Sequence, residues 1–136
     1  MKQFIFLFII IFSFSHAQKR NASVVFTTPE PKKGILYIAI YDSEQNFLKI
    51  PLTRIKVDYN GNKKNVVIKD LELGKTVCIS AFLDEDLNGK LDKNFLGIPL
   101  ELYGFSQDAR GSFGPPKFKE ASFVIKHKNI LIINLK

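Results

Sequence analysis

Short segments rich in Val, Ile, Phe and Tyr alternate with Gly, Pro and Asn along this chain, a pattern typical of β-strands separated by turns. Residues 34–41 (GILYIAIY) are almost wholly apolar, as expected of a strand buried on both faces, whereas residues 53–59 (TRIKVDY) alternate apolar and polar side chains. Because no segment shows sustained apolar spacing of three and four residues, no long helix is predicted. The segments predicted as strands are 22–28, 34–41, 53–59, 64–70, 75–83, 121–126 and 129–135.

The spacing of these segments predicts the fold class. Pro29 and Pro31 are expected to end the first strand, and Asn60-Gly61-Asn62 is a strong signal for a hairpin turn. Seven short strands of this kind indicate an all-β fold, a single antiparallel β-sandwich of about seven strands and Ig-like in general shape. A small closed β-barrel is the alternative.

The segment 94–119 interrupts this rhythm, because it contains four Gly and three Pro residues but no clear strand pattern. A connection of this length in a compact domain is usually functional or disordered. Its apolar content argues against disorder, so we expect a long ordered loop that packs on one end of the sandwich beside the preceding acidic run. The apolar residues concerned are Phe95, Leu96, Ile98, Leu100, Leu102, Tyr103 and Phe105.

The N-terminal residues have the three-part layout of a secretory signal peptide. Lys2 precedes an apolar run of about eleven residues, and the small-residue site Ser15-His16-Ala17 follows it. A membrane-spanning helix needs about twenty apolar residues, so an uncleaved anchor is the weaker alternative. The predicted organisation is a signal peptide over residues 1–17 and one exported domain over residues 18–136, periplasmic or extracellular, with no transmembrane segment after cleavage.

The exported part is moderately basic. Cleavage removes Lys2, one of the 20 Lys and Arg residues, so 19 basic side chains stand against 13 acidic ones, a net charge of +6. These side chains are scattered and form no continuous stripe with stacked aromatics, so no nucleic-acid partner is expected. A solvated basic surface is the favoured interpretation, and mild attraction to an anionic envelope surface is the alternative.

Cys78 is the only cysteine of the chain. An exported domain with one cysteine has no internal disulfide, so its core alone must hold it together. Cys78 lies in an apolar, strand-like run, where we expect it to act as a small buried side chain.

The run from Asp84 to Asp92 (DEDLNGKLD) places four acidic side chains around an Asn-Gly turn in an otherwise basic protein. A hard cation such as Ca²⁺ requires oxygen ligands at alternate positions around a sharp Gly turn, and Gly89 stands at the sixth position, where such a loop turns. The bidentate Glu of a full calcium loop is missing, because Phe95 stands at position 12. Glu101 supplies a distal carboxylate if the chain folds back. The candidate metal ligands are Asp84, Asp86, Asn88, Lys90 (through its backbone carbonyl), Asp92 and Glu101.

The alternative is a polar hairpin in which Asn88-Gly89 makes the turn and the carboxylates face water. Four carboxylates stand against one Lys within nine residues, and like charges this close repel one another unless a cation or solvent screens them. The following Leu91, which would pin the loop to the core, and the extracellular setting favour Ca²⁺. An affinity of ~10⁻⁴–10⁻³ M is expected, as in other extracellular modules.

A long ordered motif follows the acidic loop: G-x-P-x-E-x-x-G-F-S over residues 97–106, then G-P-P-x-F-x-x-A-x-F over residues 114–123. Together they resemble the characteristic block of a family of exported bacterial proteins, domain-of-unknown-function family 2141. The resemblance extends from about Gly34 onward and implies an exported β-sandwich without a particular activity. The corner that ends at Gly74 is similar to transthyretin-like and carboxypeptidase-regulatory-like domains, which implies a transthyretin-like sandwich. Members often carry a His before the first loop Asp, but this chain has Leu83 there, so no role of that His transfers.

Catalytic chemistry has little support in the sequence. His127 is the only histidine of residues 18–136, and its two Lys neighbours are typical of a solvated turn. No nucleophile and base are visible together, zinc lacks its His and Cys ligands, and we assign no catalytic or cofactor-binding residue.

The favoured function is a non-enzymatic binding or accessory module of the cell envelope, with a glycan, a peptide or an envelope protein as partner. The alternative is a small envelope hydrolase that uses Asp84, Asp86 or Glu101 as acid and base. Aromatic side chains of the long loop either line a groove for a ligand or, as we favour, pack the loop onto the sandwich. They are Tyr103, Phe105, Phe113 and Phe118.

Overall fold

The computed structural model describes residues 16–136, so the apolar run on which the predicted signal peptide depends lies outside the described residues. Strands dominate this part of the chain, which confirms the all-β class. Over residues 16–136, no helix combines the length and the apolar character that a membrane crossing requires. The strands are β1 (Lys19–Tyr41), β2 (Thr53–Glu72), β3 (Thr76–Asp84), β4 (Tyr103–Phe105), β5 (Phe123–Val124) and β6 (Asn129–Asn134).

The first two strands form one long antiparallel hairpin, paired from Ile40 opposite Thr53 to Lys19 opposite Glu72. The predicted turn at Asn60-Gly61-Asn62 is wrong, because β2 continues through it and both halves of β2 pair with β1. The expected end of the first strand at its prolines is wrong as well. Residues 28–31 of β1 bulge against a single residue of β2. Proline lacks an N–H donor, so it interrupts the ladder there without ending the strand.

The bulge gives the two halves of β1 different neighbours. The N-terminal half pairs with β6 in parallel, and the C-terminal half pairs antiparallel with β3, which in turn carries β4 and β5. Lys136 and Tyr103 exchange backbone hydrogen bonds of 3.1 and 3.3 Å and so connect the end of the chain to β4. The structure is thus one sheet that bends at the bulge. The described residues contain six strands, because β1 and β2 each include two predicted segments and β4 lies in the segment that was predicted as a loop. The seven-stranded sandwich stays a prediction.

Both halves of the bent sheet contribute to one core. In β1 the alternation is regular, with every second side chain buried on the inner face in each half. The other face of the apolar segment 34–41 is only partly covered, so the expectation of burial on both faces is wrong. Each fully buried Leu, Ile or Phe stabilises the fold by about 1.5–3 kcal/mol. The inward-facing core residues of β1 are Ala22, Val24, Phe26, Leu36, Ile38 and Ile40.

The long segment 94–119 is ordered, as predicted, and part of it builds a second, smaller core. A one-turn helix, α1 (Phe118–Ala121), packs beside β3. The ring of Phe47, from the β1–β2 connection, lies 5.8 Å from that of Phe118. Cys78 is completely buried in this core as a free thiol, and burial raises its pKa to about 11. The members of this smaller core are Cys78, Phe105 and Ala121, with Phe47, Tyr103, Ala109 and Phe118 packed against them.

Candidate metal centre

Asp84 ends β3 and is completely buried, with 0% of its surface exposed. Its Oδ1 accepts the Asn88 N–H at 3.2 Å, and its Oδ2 accepts the Gly89 N–H at 2.8 Å. A buried carboxylate without partners would be costly, and these two donors offset part of that cost. Asp84 therefore folds the acidic loop back over the end of the strand.

Asn88 organises the middle of the loop. Its side-chain amide donates to Asp86 Oδ2 at 3.1 Å and to Asp92 Oδ2 at 2.7 Å, while its Oδ1 accepts the Lys90 N–H at 2.8 Å. Gly89 has a φ of 78°, in the left-handed region that favours glycine, so the sharp turn predicted at this position is confirmed. Asn88 thus acts here as a bridge between two carboxylates, and metal ligation by its Oδ1 or by the Lys90 carbonyl stays a prediction.

Glu101 folds back onto the acidic loop, which is the condition under which the sequence made it a candidate ligand. Its Oε1 accepts the Glu85 N–H and its Oε2 accepts the Asp92 N–H, both at 3.1 Å. Asp84, Asp86 and Glu101 each offer a carboxylate oxygen, and these oxygens all lie within 4.8 Å of one another. Asp92 is not a member of this trio, but the side-chain amide of Asn88 donates to both Asp92 and Asp86 and so connects them. The structure therefore brings together three of the candidate ligands, and we call them the carboxylate trio.

The charges of the trio act on one another. Burial raises the pKa of Glu101, the N–H groups of Asp92 and Glu85 lower it, and the charges of Asp84 and Asp92 raise it further. The net direction is upward. In this setting the charged form of Glu101 is disfavoured, and a nearby cation would restore it.

Lys32 supplies a positive charge beside the loop, and the sequence analysis missed it. Its Nζ lies 3.3 Å from Glu30 and 3.4 Å from Glu85, and these two carboxylates raise its pKa, the hydrogen bond to Glu30 contributing most. Lys32 comes from β1, about fifty residues earlier in the chain, so no local spacing pointed to it. These ion pairs balance Glu85 and not the carboxylate trio.

The donor set of the trio fits a hard cation. An ionised carboxylate offers about four lone-pair positions. Asp84, Asp86 and Glu101 each use two of them for N–H donors, so acceptor positions remain. Oxygen-only ligands suit Ca²⁺ or Mg²⁺ better than zinc, whose structural sites are built from Cys and His. Ligands on opposite sides of Ca²⁺ stand about 4.6–5.2 Å apart, and the oxygens of the trio lie within that span.

The loop aromatics divide between the two predicted roles. Phe105 is buried and Phe118 half-buried, whereas Phe113 is fully exposed. Tyr103, Phe105 and Phe113 nevertheless line one groove of about 760 Å³, which also includes the half-buried Leu91. Leu91 was expected to pin the loop to the core, but the residue that packs against the main core is Leu102, eleven positions later in the chain. Another depression, of about 630 Å³ along β2, contains none of the candidate ligands.

A family model matches this chain over residues 24–132. It describes domain-of-unknown-function family 2141, uncharacterized proteins conserved in bacteria. The chain belongs to this family. The comparisons of this chain with curated proteins and with solved structures found no match.

The block by which this sequence resembles family 2141 has structural explanations at several of its positions. A Cβ added to Gly104 would lie 2.9 Å from both the Asn134 carbonyl oxygen and Ile133 Cγ2, so the close approach of β6 requires glycine. The buried Ser106 Oγ accepts the Ile79 N–H at 2.9 Å and donates to the Ala121 carbonyl. These residues join β3, β4 and α1. They account for the G-F-S part of the block by close packing and hydrogen bonds.

Proposed function

We propose that this member of family 2141 is a non-enzymatic binding or accessory module of the cell envelope, and that its acidic loop binds Ca²⁺. In this proposal residues 1–17 direct export, and the transthyretin-like domain that follows acts in the periplasm or outside the cell. The observation that supports it most is the convergence of Asp84, Asp86 and Glu101 within 4.8 Å, with Asp84 fully buried. A partner such as a glycan, a peptide or an envelope protein would bind beside this loop.

Charge supports the role of calcium. Carboxylates this close repel one another, and the recorded ion pairs of Lys32 balance Glu30 and Glu85 instead of the trio. A divalent cation would replace that repulsion with attraction and complete its coordination with water and backbone carbonyls. Asp92 and the Lys90 carbonyl, which follow the Gly89 turn, are the next ligands in reach along the loop.

The hydrolase alternative has one observation in its favour, the raised pKa of Glu101 beside other carboxylates. A general acid of this kind must reach its substrate. Asp84 is fully buried, and both oxygens of Glu101 accept backbone N–H groups, so the trio suits a structural cation better than a substrate. The binding role is therefore the one we adopt.

Calorimetric titration of residues 18–136 with Ca²⁺ tests this proposal. A dissociation constant of ~10⁻⁴–10⁻³ M is expected for the unsubstituted domain. Asp86→Asn removes one charged ligand from the trio and should weaken binding at least about tenfold, a loss of about 1.4 kcal/mol. Asp70→Asn replaces a carboxylate on β2 that is likewise exposed; it is the matched control and should bind as the unsubstituted domain does. If no heat and no rise in melting temperature accompany Ca²⁺ at about 10 mM, the metal proposal fails.

A further inference from the structure

Two loops beside the acidic loop leave large apolar side chains in solvent. Phe95 and Phe113 are fully exposed, at 96% and 104%, and Leu96 and Leu100 are each 68% exposed. Residues of both loops line the same 760 Å³ groove. Soluble monomers rarely expose apolar side chains in such a cluster, and where they do the cluster usually marks an interaction surface. We call the hairpin 92–100 and the loop 111–115 the apolar tips.

The hairpin that carries Phe95 is held in its shape by hydrogen bonds from its backbone N–H groups. Asn94 Oδ1 accepts the N–H groups of Leu96 at 2.9 Å and Ile98 at 3.0 Å, and the Leu100 N–H donates to the Asp92 carbonyl at 2.8 Å. The side chain of Asn94 is thus hydrogen-bonded to the backbone of the turn, and the apolar side chains of the hairpin are exposed to solvent. Such an Asn turn is ordinary, but turns and loops usually present polar side chains to solvent, and this one presents apolar ones. The outward exposure of Phe95 is therefore built into the turn.

Positive charge surrounds the groove between the tips. Lys93 lines the groove, and the exposed Lys49 and Lys117 lie within two residues of other lining residues. Among the described residues that line the groove, none is acidic. Arg110 is turned inward, where its guanidinium donates to the carbonyls of Tyr103 and Asn134. Asp92 and Glu101 also lie within two residues of lining residues, but both are only half-exposed and their carboxylates accept hydrogen bonds from Asn88 and from the Glu85 and Asp92 N–H groups. The exposed charges at or beside the groove are therefore lysines, in an exported part of net charge +6.

We propose that the apolar tips insert into the surface of an anionic lipid bilayer. Side chains that protrude completely need either matching pockets on a partner or a soft apolar medium, and the lysine rim matches anionic headgroups. Phe95, Leu96 and Phe113 enter the boundary between headgroups and acyl chains, while Lys93 stays at the level of the phosphates. The inference rests on the binding role proposed above and not on calcium.

Flotation with lipid vesicles tests this inference on residues 18–136, which contain every strand of the described fold. In EDTA, the domain should float with vesicles of phosphatidylglycerol and phosphatidylcholine and far less with phosphatidylcholine alone. The double variant Phe95→Ser with Phe113→Ser should partition at least about tenfold more weakly, because two large apolar side chains no longer enter the bilayer. Ile130→Ser on β6 is the matched control, since Ile130 is 64% exposed but lies outside the tips, and it should float as the unsubstituted domain does.

Four results would overturn the inference. They are no flotation with anionic vesicles, equal flotation of the double variant, flotation only when Ca²⁺ is added, and a dimer in sedimentation that the double variant converts to a monomer. The last result would assign the tips to a second copy of the chain. Since the decisive measurement is made in EDTA, a negative calcium titration does not alter it, and a failure of lipid binding does not alter the calcium titration.

Discussion

Asp84→Asn separates what the buried carboxylate does for the loop backbone from what it does for a cation. Both Asp84 oxygens accept N–H groups, from Asn88 and Gly89, and the residue is fully buried. Asparagine keeps one of these acceptors and turns an NH₂ group toward the other donor. The substitution therefore removes one charged hydrogen bond, one negative charge and one ionised ligand of the proposed cation site.

Without calcium, two of these effects oppose each other. Loss of a hydrogen bond to a charged group costs about 1.5–3 kcal/mol. Two carboxylates up to 4.8 Å apart repel by about 1–3.5 kcal/mol for an effective dielectric constant between 80 and 20, and the substitution relieves this repulsion. Because the two magnitudes are similar, we expect the free energy of unfolding in EDTA to change by less than about 2 kcal/mol.

With calcium, the third effect decides the outcome. If the dissociation constant is ~10⁻⁴–10⁻³ M, then about 10 mM Ca²⁺ stabilises the unsubstituted domain by about 1.4–2.7 kcal/mol. For a domain of this size that corresponds to a rise in melting temperature of roughly 5–10 °C. Asp84→Asn lacks the most buried member of the carboxylate trio and should show a rise below about 2 °C.

Thermal unfolding in EDTA, Ca²⁺ and Mg²⁺ measures these increments directly. The matched control Asp70→Asn should show the same calcium-dependent rise as the unsubstituted domain, because its carboxylate lies on β2, outside the trio. Equal rises for Asp84→Asn and the unsubstituted domain would refute the assignment of Asp84 as a ligand. A large loss of stability in EDTA would instead show that its hydrogen bonds outweigh the repulsion.

Three further predictions concern the packing and the charges around the site. Ser106→Ala should lower the free energy of unfolding by about 2–4 kcal/mol, because it leaves a buried N–H and a buried carbonyl without partners. The control Ser122→Ala should lower it by less than about 1 kcal/mol. Urea unfolding of both variants measures these losses, and equal losses would contradict the prediction. The raised folded-state pKa of Glu101 means that its contribution to stability is full below its ordinary value of 4.5 and is lost as pH rises through the folded-state pKa. In EDTA, the unsubstituted domain should therefore gain stability relative to Glu101→Gln as the pH falls from 7 toward 4.5, and a difference in urea midpoints that does not vary with pH would refute this. Cys78, whose pKa burial raises to about 11, should resist a thiol reagent at about pH 8 until urea unfolds the domain, and rapid labelling of the folded protein would contradict its burial.

The strands could be predicted because their signal is local. In β1 and β2 the alternation of apolar and polar side chains follows the two-residue period of a strand, and the inner-face residues are buried accordingly. The turn at Asn60-Gly61-Asn62 was mispredicted because turn propensity is also local, while the structure is decided by partners elsewhere. β1 offers hydrogen bonds to both halves of β2, and Gly61 accommodates the irregularity with a φ of 104°. Pairing over a long hairpin outweighs the preference of three residues.

The site shows the same division. Asp84, Asp86 and Gly89 could be selected from spacing because their arrangement is set within one loop. Glu101 reaches the acidic loop only because the chain folds back, which the sequence permitted but did not specify. Lys32 reaches Glu85 from β1, a strand far from the loop in sequence. Phe95 was expected to pack, since apolar side chains are usually buried, and it is instead fully exposed. Exposed apolar side chains such as Phe95 could not be predicted, because the hydrophobic pattern does not specify which apolar residues the fold leaves uncovered.

Glu101 connects the acidic loop to the apolar hairpin. Its two oxygens hold the N–H groups of Glu85 and Asp92, and the Asp92 carbonyl in turn accepts the Leu100 N–H, which closes the base of the hairpin. Repulsion between Glu101 and its neighbouring carboxylates opposes this closure, so a cation among them would strengthen the same hydrogen bonds that fix the orientation of Phe95. Glu101 therefore links the acidic loop to the hairpin that carries Phe95 through a continuous series of hydrogen bonds. The carboxylates position the backbone, and the backbone determines which side chains of the hairpin face solvent.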